Sequence, residues 1–334
     1  MGNEVIRWGV LGAARIARNA VCPAIRASRN GVFGAVASRD HTKAEEFARD
    51  TGAGVAWGSY DALLDDDDVE AIYIPLPNHL HHEWTIKAVR AGKHVLCEKP
   101  LALSAAECME MEAAAREAGV VLMEAFMYRF HPRTEHVLAL VRRGAIGAPK
   151  AISSVFTFPL TNPQNIRWAR EMGGGALMDV GCYCVNVSRT VAGAEPIEVQ
   201  AMANWAKTDV DEQMAGTLRF ADGLLATFQC ALTVERKESY VVAGSEGHLE
   251  IENAFVPGTD TTTIEEVHGR RERKSHAIAG ADEYTLMVEH FADCVLEERP
   301  VRYPASEGAA NMRVLEALHR SARNGGRPEQ VRHG

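Results

Sequence analysis

The chain lacks any apolar run of the ~18–20 residues that a membrane-spanning helix needs. Hydrophobic residues make up 46% of it, but in short patterned groups. It also lacks positive charge: 36 Lys and Arg stand against 45 Asp and Glu, a net of −9, which argues against a nucleic-acid surface. The one basic cluster, Arg270-Arg271-Glu272-Arg273-Lys274, is interrupted by acid and reads as a solvated loop. The acidic run Asp65-Asp66-Asp67-Asp68 lies between a helix and a strand pattern and is equally bland. Cysteine chemistry is scarce, since the seven thiols are odd in number and form no CxxC pair. Cys182 and Cys184 face different sides of any helix, so the expectation is reduced thiols packed in a core. A strand pattern that begins at Val5 leaves no room for a secretory signal, and the expected compartment is the cytoplasm. Low-complexity tracts and internal repeats are missing as well.

What is there is a two-domain pattern, as 334 residues would suggest. Residues 1–125 alternate strand runs (Val5–Leu11, Gly31–Ala37, Ala71–Ile74, His94–Cys97, Val120–Met123) with helix patterns (Ile16–Ser28, His41–Asp50, Leu80–Ala91, Ala105–Ala118). Thr42 with Glu45 and Ser104 with Glu107 read as capping boxes. Such alternation predicts an α/β Rossmann domain, a doubly wound parallel sheet with helices on both faces. Residues 126–334 change character and predict an α+β domain for substrate binding and oligomerisation. Helical patterns at 130–143 and 175–192 give way to period-two alternation from residue 196. Asp222-Gly223 between two alternating runs marks a hairpin in a largely antiparallel, open-faced sheet. One face of that sheet needs a cover from helices or from a second subunit, so a homodimer or homotetramer is expected. The last helix, about 307–323, is expected to pack back on the first domain.

The first strand runs into Gly9-Val10-Leu11-Gly12-Ala13-Ala14-Arg15-Ile16-Ala17. A chain that leaves a buried strand and turns at once into a helix needs a glycine, and Gly12 serves. The helix start, with Ala14, Arg15 and Ile16, then offers free N–H groups and a positive dipole end to a pyrophosphate. The middle glycine of G-x-G-x-x-G/A is replaced by Ala14. The second strand ends Ser38-Arg39-Asp40, where an NAD site usually has an acidic residue for the ribose 2′-hydroxyl. Ser38 and Arg39, with Lys43 beyond, suit a 2′-phosphate and point to NADP. Asp40 is the argument for NAD, although its place also suits a helix cap.

Three further stretches extend the pattern: Ile72-Tyr73-Ile74-Pro75-Leu76-Pro77-Asn78-His79-Leu80-His81, Glu98-Lys99-Pro100, and Gly173-Gly174-Gly175-Ala176-Leu177-Met178-Asp179-Val180-Gly181-Cys182-Tyr183. With the first strand they resemble the Gfo/Idh/MocA family of dehydrogenases over nearly the whole chain. The fuller wording, including Glu124-Ala125-Phe126-Met127-Tyr128-Arg129-Phe130-His131-Pro132, resembles the branch of glucose–fructose oxidoreductase, dimeric dihydrodiol dehydrogenase and NADP-dependent D-xylose 1-dehydrogenase. The resemblance implies that Pro75, Pro77, Asn78, His81, Glu98 and Lys99 bind the cofactor, with Pro77, Asn78 and His81 beside the nicotinamide ribose through their backbone and polar edges.

Lys99 follows a strand at the carboxyl edge, where ligands bind in open α/β sheets, and its charge lowers the pKa of a neighbouring acid. Asp179 and Tyr183 stand four apart on one helix face, which the resemblance turns toward the substrate. Many family members carry histidine where this chain has Tyr183. A phenol of pKa ~10 needs electrostatic help to act as a base at neutral pH, and Lys99 is the expected source. Asp179 would orient the substrate hydroxyl or the lysine. Arg129, Arg167 and Trp168 are candidates for the substrate wall. His79, His81 and His82 do not converge as zinc ligands do, so no metal is expected. The expected activity is NADP-dependent hydride transfer with a sugar or polyol, an aldopyranose C1 giving the lactone. A ketosugar or dicarbonyl reductase and an inositol-type NAD dehydrogenase are the enzyme alternatives. A non-catalytic dinucleotide-sensing regulator is the alternative of another class.

Overall fold

In a computed structural model, which describes residues 5–332 with Arg271 excepted, the chain divides into two compact units. The first comprises Met1–Phe130 and Asp282–Ala309; the second comprises His131–Ala281 and Ala310–Gly334.

The first unit opens with β1 (Ile6–Leu11), a π-helical turn at Ala17–Val21 and α1 (Cys22–Ala27). It continues with β2 (Gly31–Ala37), α2 (His41–Thr51), β3 (Val55–Trp57), α3 (Tyr60–Leu64), β4 (Ala71–Ile74), α4 (His81–Arg90), β5 (His94–Glu98), α5 (Ala105–Ala118) and β6 (Leu122–Ala125). Among the described residues these strands form a six-stranded sheet in the order β3-β2-β1-β4-β5-β6, parallel at every pairing. That is the doubly wound order, and it reverses direction between β1 and β4. The strands read as continuous apolar runs because helices cover both faces. β4 is buried at every residue, and β1 at all but Arg7. Of the two capping boxes that the sequence pattern predicts, one forms. Ser104 does cap α5, with Glu107 N–H donating to its Oγ at 3.2 Å. Thr42 does not cap α2, because Asp40 just before it already accepts from the Lys43 N–H.

The second unit begins with α6 (Pro132–Arg142) and β7 (Pro149–Thr157), then a π-helical turn at Leu177–Gly181 leading into α7 (Cys182–Ala192). β8 (Pro196–Trp205), β9 (Asp211–Phe220), β10 (Leu225–Ala231), β11 (Lys237–Gly244), β12 (His248–Glu252), β13 (Thr262–His268) and β14 (Glu272–Ile278) follow. The sheet order is β14-β13-β12-β11-β7-β10-β9-β8, with β7 and β10 paired in parallel and every other pairing antiparallel. The Asp222-Gly223 turn joins β9 to β10 in the predicted hairpin, Arg219 facing Leu225. The basic cluster expected as a loop is instead largely strand, since Glu272–Lys274 open the exposed edge strand β14; Arg271 lies outside the described residues.

The chain then returns to the first unit with α8 (Glu283–Leu296). Sequence assigns all of 126–334 to the second domain except the last helix. The structure instead brings back α8, because its Phe291 packs on Trp8 of β1 with ring centroids 5.1 Å apart. Both rings are fully buried. Only the first turn of the final helix, α9 (Ala305–Arg323), belongs to the first unit. The short β15 (Glu329–Gln330) pairs with β8 and completes the second sheet.

Candidate active site

In the first unit, the dinucleotide elements gather where the strand order reverses. Gly12 closes β1 with φ +101 and donates its N–H to Ala37 O at 2.8 Å. A Cβ there would lie 2.9 Å from the movable Leu76 Cδ2 and 3.6 Å from the Tyr60 hydroxyl, so it is the backbone angle that demands glycine. The cradle above it fits a pyrophosphate: Ala14 and Ile16 are half-buried, Arg15 is exposed, and the helix start that follows is a natural anion site.

At the end of β2, Ser38 is 9% exposed and its Oγ accepts from Asp40 N at 3.3 Å. Arg39 and Lys43 are exposed, Arg39 reaching the Tyr60 hydroxyl and Lys43 standing 3.8 Å from Asp40. With its oxygen committed to the α2 cap, Asp40 is a helix residue first. This donor and cation set fits a phosphate on the adenosine ribose.

Lys99 occupies the loop after β5, and three consecutive residues there are pinned by three buried or half-buried side chains. Glu98 Oε2 accepts the Lys99 N–H at 3.2 Å while its Oε1 accepts the Tyr73 hydroxyl at 2.6 Å. His81 sets Nδ1 2.9 Å from Pro100 O and Nε2 2.8 Å from Leu76 O. Glu124 Oε1 accepts the Leu101 N–H at 2.9 Å. The Lys99–Pro100 bond is cis. His81 is 1% exposed, so its ring ties the loop after β4, with Pro75, Pro77 and Asn78, to the loop of Lys99. His82 instead faces Glu110 at 3.0 Å, and among the described residues no group of three or more His, Cys, Asp or Glu is placed to hold a metal.

Arg129, a candidate for the substrate wall, is held by neighbours of its own. It is 6% exposed, with its guanidinium 3.5 Å from the Tyr303 ring centroid and 3.1 Å from Glu307 Oε2. It joins the turn after β6 to the start of α9.

In the second unit, Asp179 and Tyr183 sit where the π-helical turn passes into α7. They are 9% and 5% exposed. A single wide turn of this kind re-aims the side chains around it and is frequent at functional sites. Tyr183 packs against Phe156 and Phe255 at 5.3 Å centroid distances, which fixes its ring. Asp179 Oδ2 accepts from Arg167 Nε at 2.5 Å, so a candidate for the substrate wall and a candidate catalytic acid form one ion pair. Trp168, half-buried beside them, closes a short 3-10 turn. Two of the three glycines before this helix, Gly174 and Gly175, are packing requirements. A Cβ on Gly174 would strike the Arg167 carbonyl, and one on Gly175, at φ +114, would strike the Asp211 carboxylate. All seven cysteines are free and buried. Sequence reasoning missed the roles of Glu124, Tyr60 and Asp211. Each acts on residues distant in the chain and has no local pattern of its own.

The profile of the GFO/IDH/MocA oxidoreductase family, NAD-binding Rossmann fold, matches residues 6–126, and that of the GFO/IDH/MocA C-terminal domain matches residues 134–250. The chain is 37% identical to a D-xylose 1-dehydrogenase (NADP(+)) of Haloferax volcanii over 95% of its length and 98% of the relative's. It is 32% identical to the trans-1,2-dihydrobenzene-1,2-diol dehydrogenase of Mus musculus over 95% and 96% of the two chains. Among solved structures, KijD10, a 3-ketoreductase from Actinomadura kijaniata in complex with NADP and TDP-benzene, superposes with a TM-score of 0.91 at 31% identity, covering 95% and 98%.

Proposed function

The chain belongs to the GFO/IDH/MocA family of oxidoreductases, and we propose that it is an NADP-dependent sugar dehydrogenase that oxidises an aldopyranose at C1 to the lactone. NADP-dependent sugar oxidoreduction is the activity its relatives support; the aldose is the finer step. The observation that carries this reading is the Lys99 loop, held at three successive residues beside the dinucleotide cradle. Such rigidity suits a cation that must meet a developing charge in one place.

When bound, the nicotinamide supplies a hydride acceptor at its ring. Gly12, Ala14, Arg15 and Ile16 hold the pyrophosphate, and Ser38, Arg39 and Lys43 hold the 2′-phosphate. Pro75, Pro77 and Asn78 border the nicotinamide ribose. Tyr183 takes the proton of the C1 hydroxyl as the hydride leaves carbon, and Lys99 stabilises the negative charge that grows on oxygen. Asp179, ion-paired to Arg167, orients the sugar's hydroxyls, and Trp168 offers an apolar face to the ring. A screen of aldoses, ketoses, inositols and trans-dihydrodiols, followed through NADPH absorbance, tests the reading; no turnover with any of them overturns it.

The likeness to a 3-ketoreductase favours one second reading, the same residues reducing a ketosugar. Assays in both directions at neutral pH separate the two.

The open face of the second sheet is our proposed site for a second copy of the chain. Its central row runs Thr217, Thr227, Ser153 and Val241 across β9, β10, β7 and β11, small and uncharged. Met202 and Leu225 on the same sheet are 74% and 45% exposed. Thr227→Lys is expected to lower the mass seen by sedimentation to that of a monomer, and an unchanged mass refutes this assignment.

A further inference from the structure

The reaction just described makes no use of the buried carboxylate of Asp211. Asp211, the first residue of β9, is 0% exposed. Its Oδ2 accepts the Leu177 N–H at 2.6 Å, and the Ala176 amide also donates to the group. Its Oδ1 has no hydrogen-bond partner among the described residues, and His319 Nε2 stands 3.8 Å away. Leu177 opens the π-helical turn, so these amides are donors that no earlier turn of the helix can satisfy. A side chain just ahead of the helix ordinarily accepts them, but that place is held by Gly174 and Gly175, which have none. The cap comes instead from another strand, and Gly175 is glycine partly to admit it.

A second aspartate of the same β8–β9 turn works alongside. Asp209, held at φ +62, pairs with Arg170 three residues before Gly173 and accepts from Arg323 at 2.6 Å. The turn therefore grips the glycine segment on both sides.

We propose that Asp211 is a positioning residue of the proposed reaction: reaching across from β9, it fixes the helix start that carries Asp179 and Tyr183. This rests on the sugar dehydrogenase reading for its effect on rate, but not for its effect on the helix. The groups that face Asp211 are His319 and Arg323 from α9 and Cys230 from β10, with the amides of Ala176 and Leu177. Burial pushes the Asp211 carboxyl up to about 7, against the pull of those amides. Burial, with Arg323 and Arg170 nearby, lowers His319 to about 4, so it is neutral and does not balance the charge. The carboxylate is the stronger acceptor, so the helix start is held best above pH 7 and loosens as Asp211 takes its proton.

The test compares wild type, Asp211→Asn, which keeps an acceptor without the titration, and Asp211→Ala, which keeps neither. Each is read by steady-state kinetics from pH 5.5 to 9 and by hydrogen exchange at the amides of Ala176–Gly181. For Asp211→Ala, exchange there is expected to accelerate about tenfold and kcat to fall about tenfold, a cap's worth, with the KM for NADP within about twofold. Asp211→Asn is expected to regain most of the rate while losing the decline near pH 7. Wild-type exchange and rate in Asp211→Ala, or the wild-type pH profile in Asp211→Asn, overturns the proposal. Should Asp211→Ala fail to fold, the Asn variant decides through its exchange and its pH profile. Should no sugar be turned over, exchange alone decides, and in wild type it must quicken below pH 7 once corrected for intrinsic rates.

Discussion

Replacing His81 with leucine removes the ring that ties the loop after β4 to the loop of Lys99, and it leaves no large cavity. Burial holds His81 below the ordinary imidazole value, so at neutral pH the ring carries one N–H. Of the two carbonyls it faces, Leu76 O and Pro100 O, one receives that proton as a hydrogen bond. Leucine leaves this buried acceptor without its donor, which costs about 1–3 kcal/mol. In a protein of this size 2 kcal/mol lowers Tm by roughly 3 °C. Whichever carbonyl holds the proton, losing the ring unties the loop of Lys99 from the loop after β4, so kcat/KM is expected to fall about tenfold, the equivalent of about 1.4 kcal/mol of lost transition-state stabilisation. Thermal unfolding and NADPH formation, each measured at pH 7–8.5, read the two effects. Within that window the ring is neutral folded and unfolded, so the difference in Tm is flat. Below about 6.5 the unfolded chain takes up a proton that the buried ring refuses, and the advantage of wild type shrinks. A leucine variant that melts within a degree of wild type and turns over at its rate would show that the ring does not hold Lys99.

Other substitutions bear on separate parts of the molecule. Lys99→Ala and Tyr183→Phe should each lower kcat by roughly 10²–10⁴. In a fluorescence titration, the Tyr183 variant should still bind NADPH as wild type does; weakened binding there would move Tyr183 out of the chemistry. Arg39→Ala should weaken NADP about tenfold or more, the scale of one charge-assisted hydrogen bond, and leave NAD affinity alone. Equal losses for both cofactors would contradict the 2′-phosphate assignment. Phe291→Ala should destabilise the first unit by about 3–5 kcal/mol and shift Trp8 fluorescence to the red, which chemical denaturation and emission spectra will check.

Features written in consecutive residues were legible in the sequence. The turn at Gly12, the Asp222-Gly223 hairpin and the Ser104 cap each depend on neighbours a few positions apart, and they stand where the pattern put them. β3 escaped notice because Val55–Trp57 is three residues long and partly exposed, too short for periodicity to register. Asp40 outcompeted Thr42 as the cap of α2 by one favourable backbone geometry. The packing of Arg129 has no local signal because its partners, Tyr303 and Glu307, lie far along the chain. Glu124 and Asp211 were silent for the same reason. A lone acid in a strand has no signature until the fold brings amides to it.

The return of α8 to the first unit has a consequence for biosynthesis. Trp8 emerges among the first residues made, yet its partner Phe291 follows only after the whole of 131–281. At ~5–20 residues per second the nascent sheet waits on the order of ten seconds or more with one apolar flank uncovered. Residues 131–281 emerge during that wait, while the 310–334 segment that completes their own unit is still unmade. A fragment ending at Phe130 would carry that flank permanently bare, so the dinucleotide unit cannot be borrowed as a cassette unless the distant helix is grafted with it.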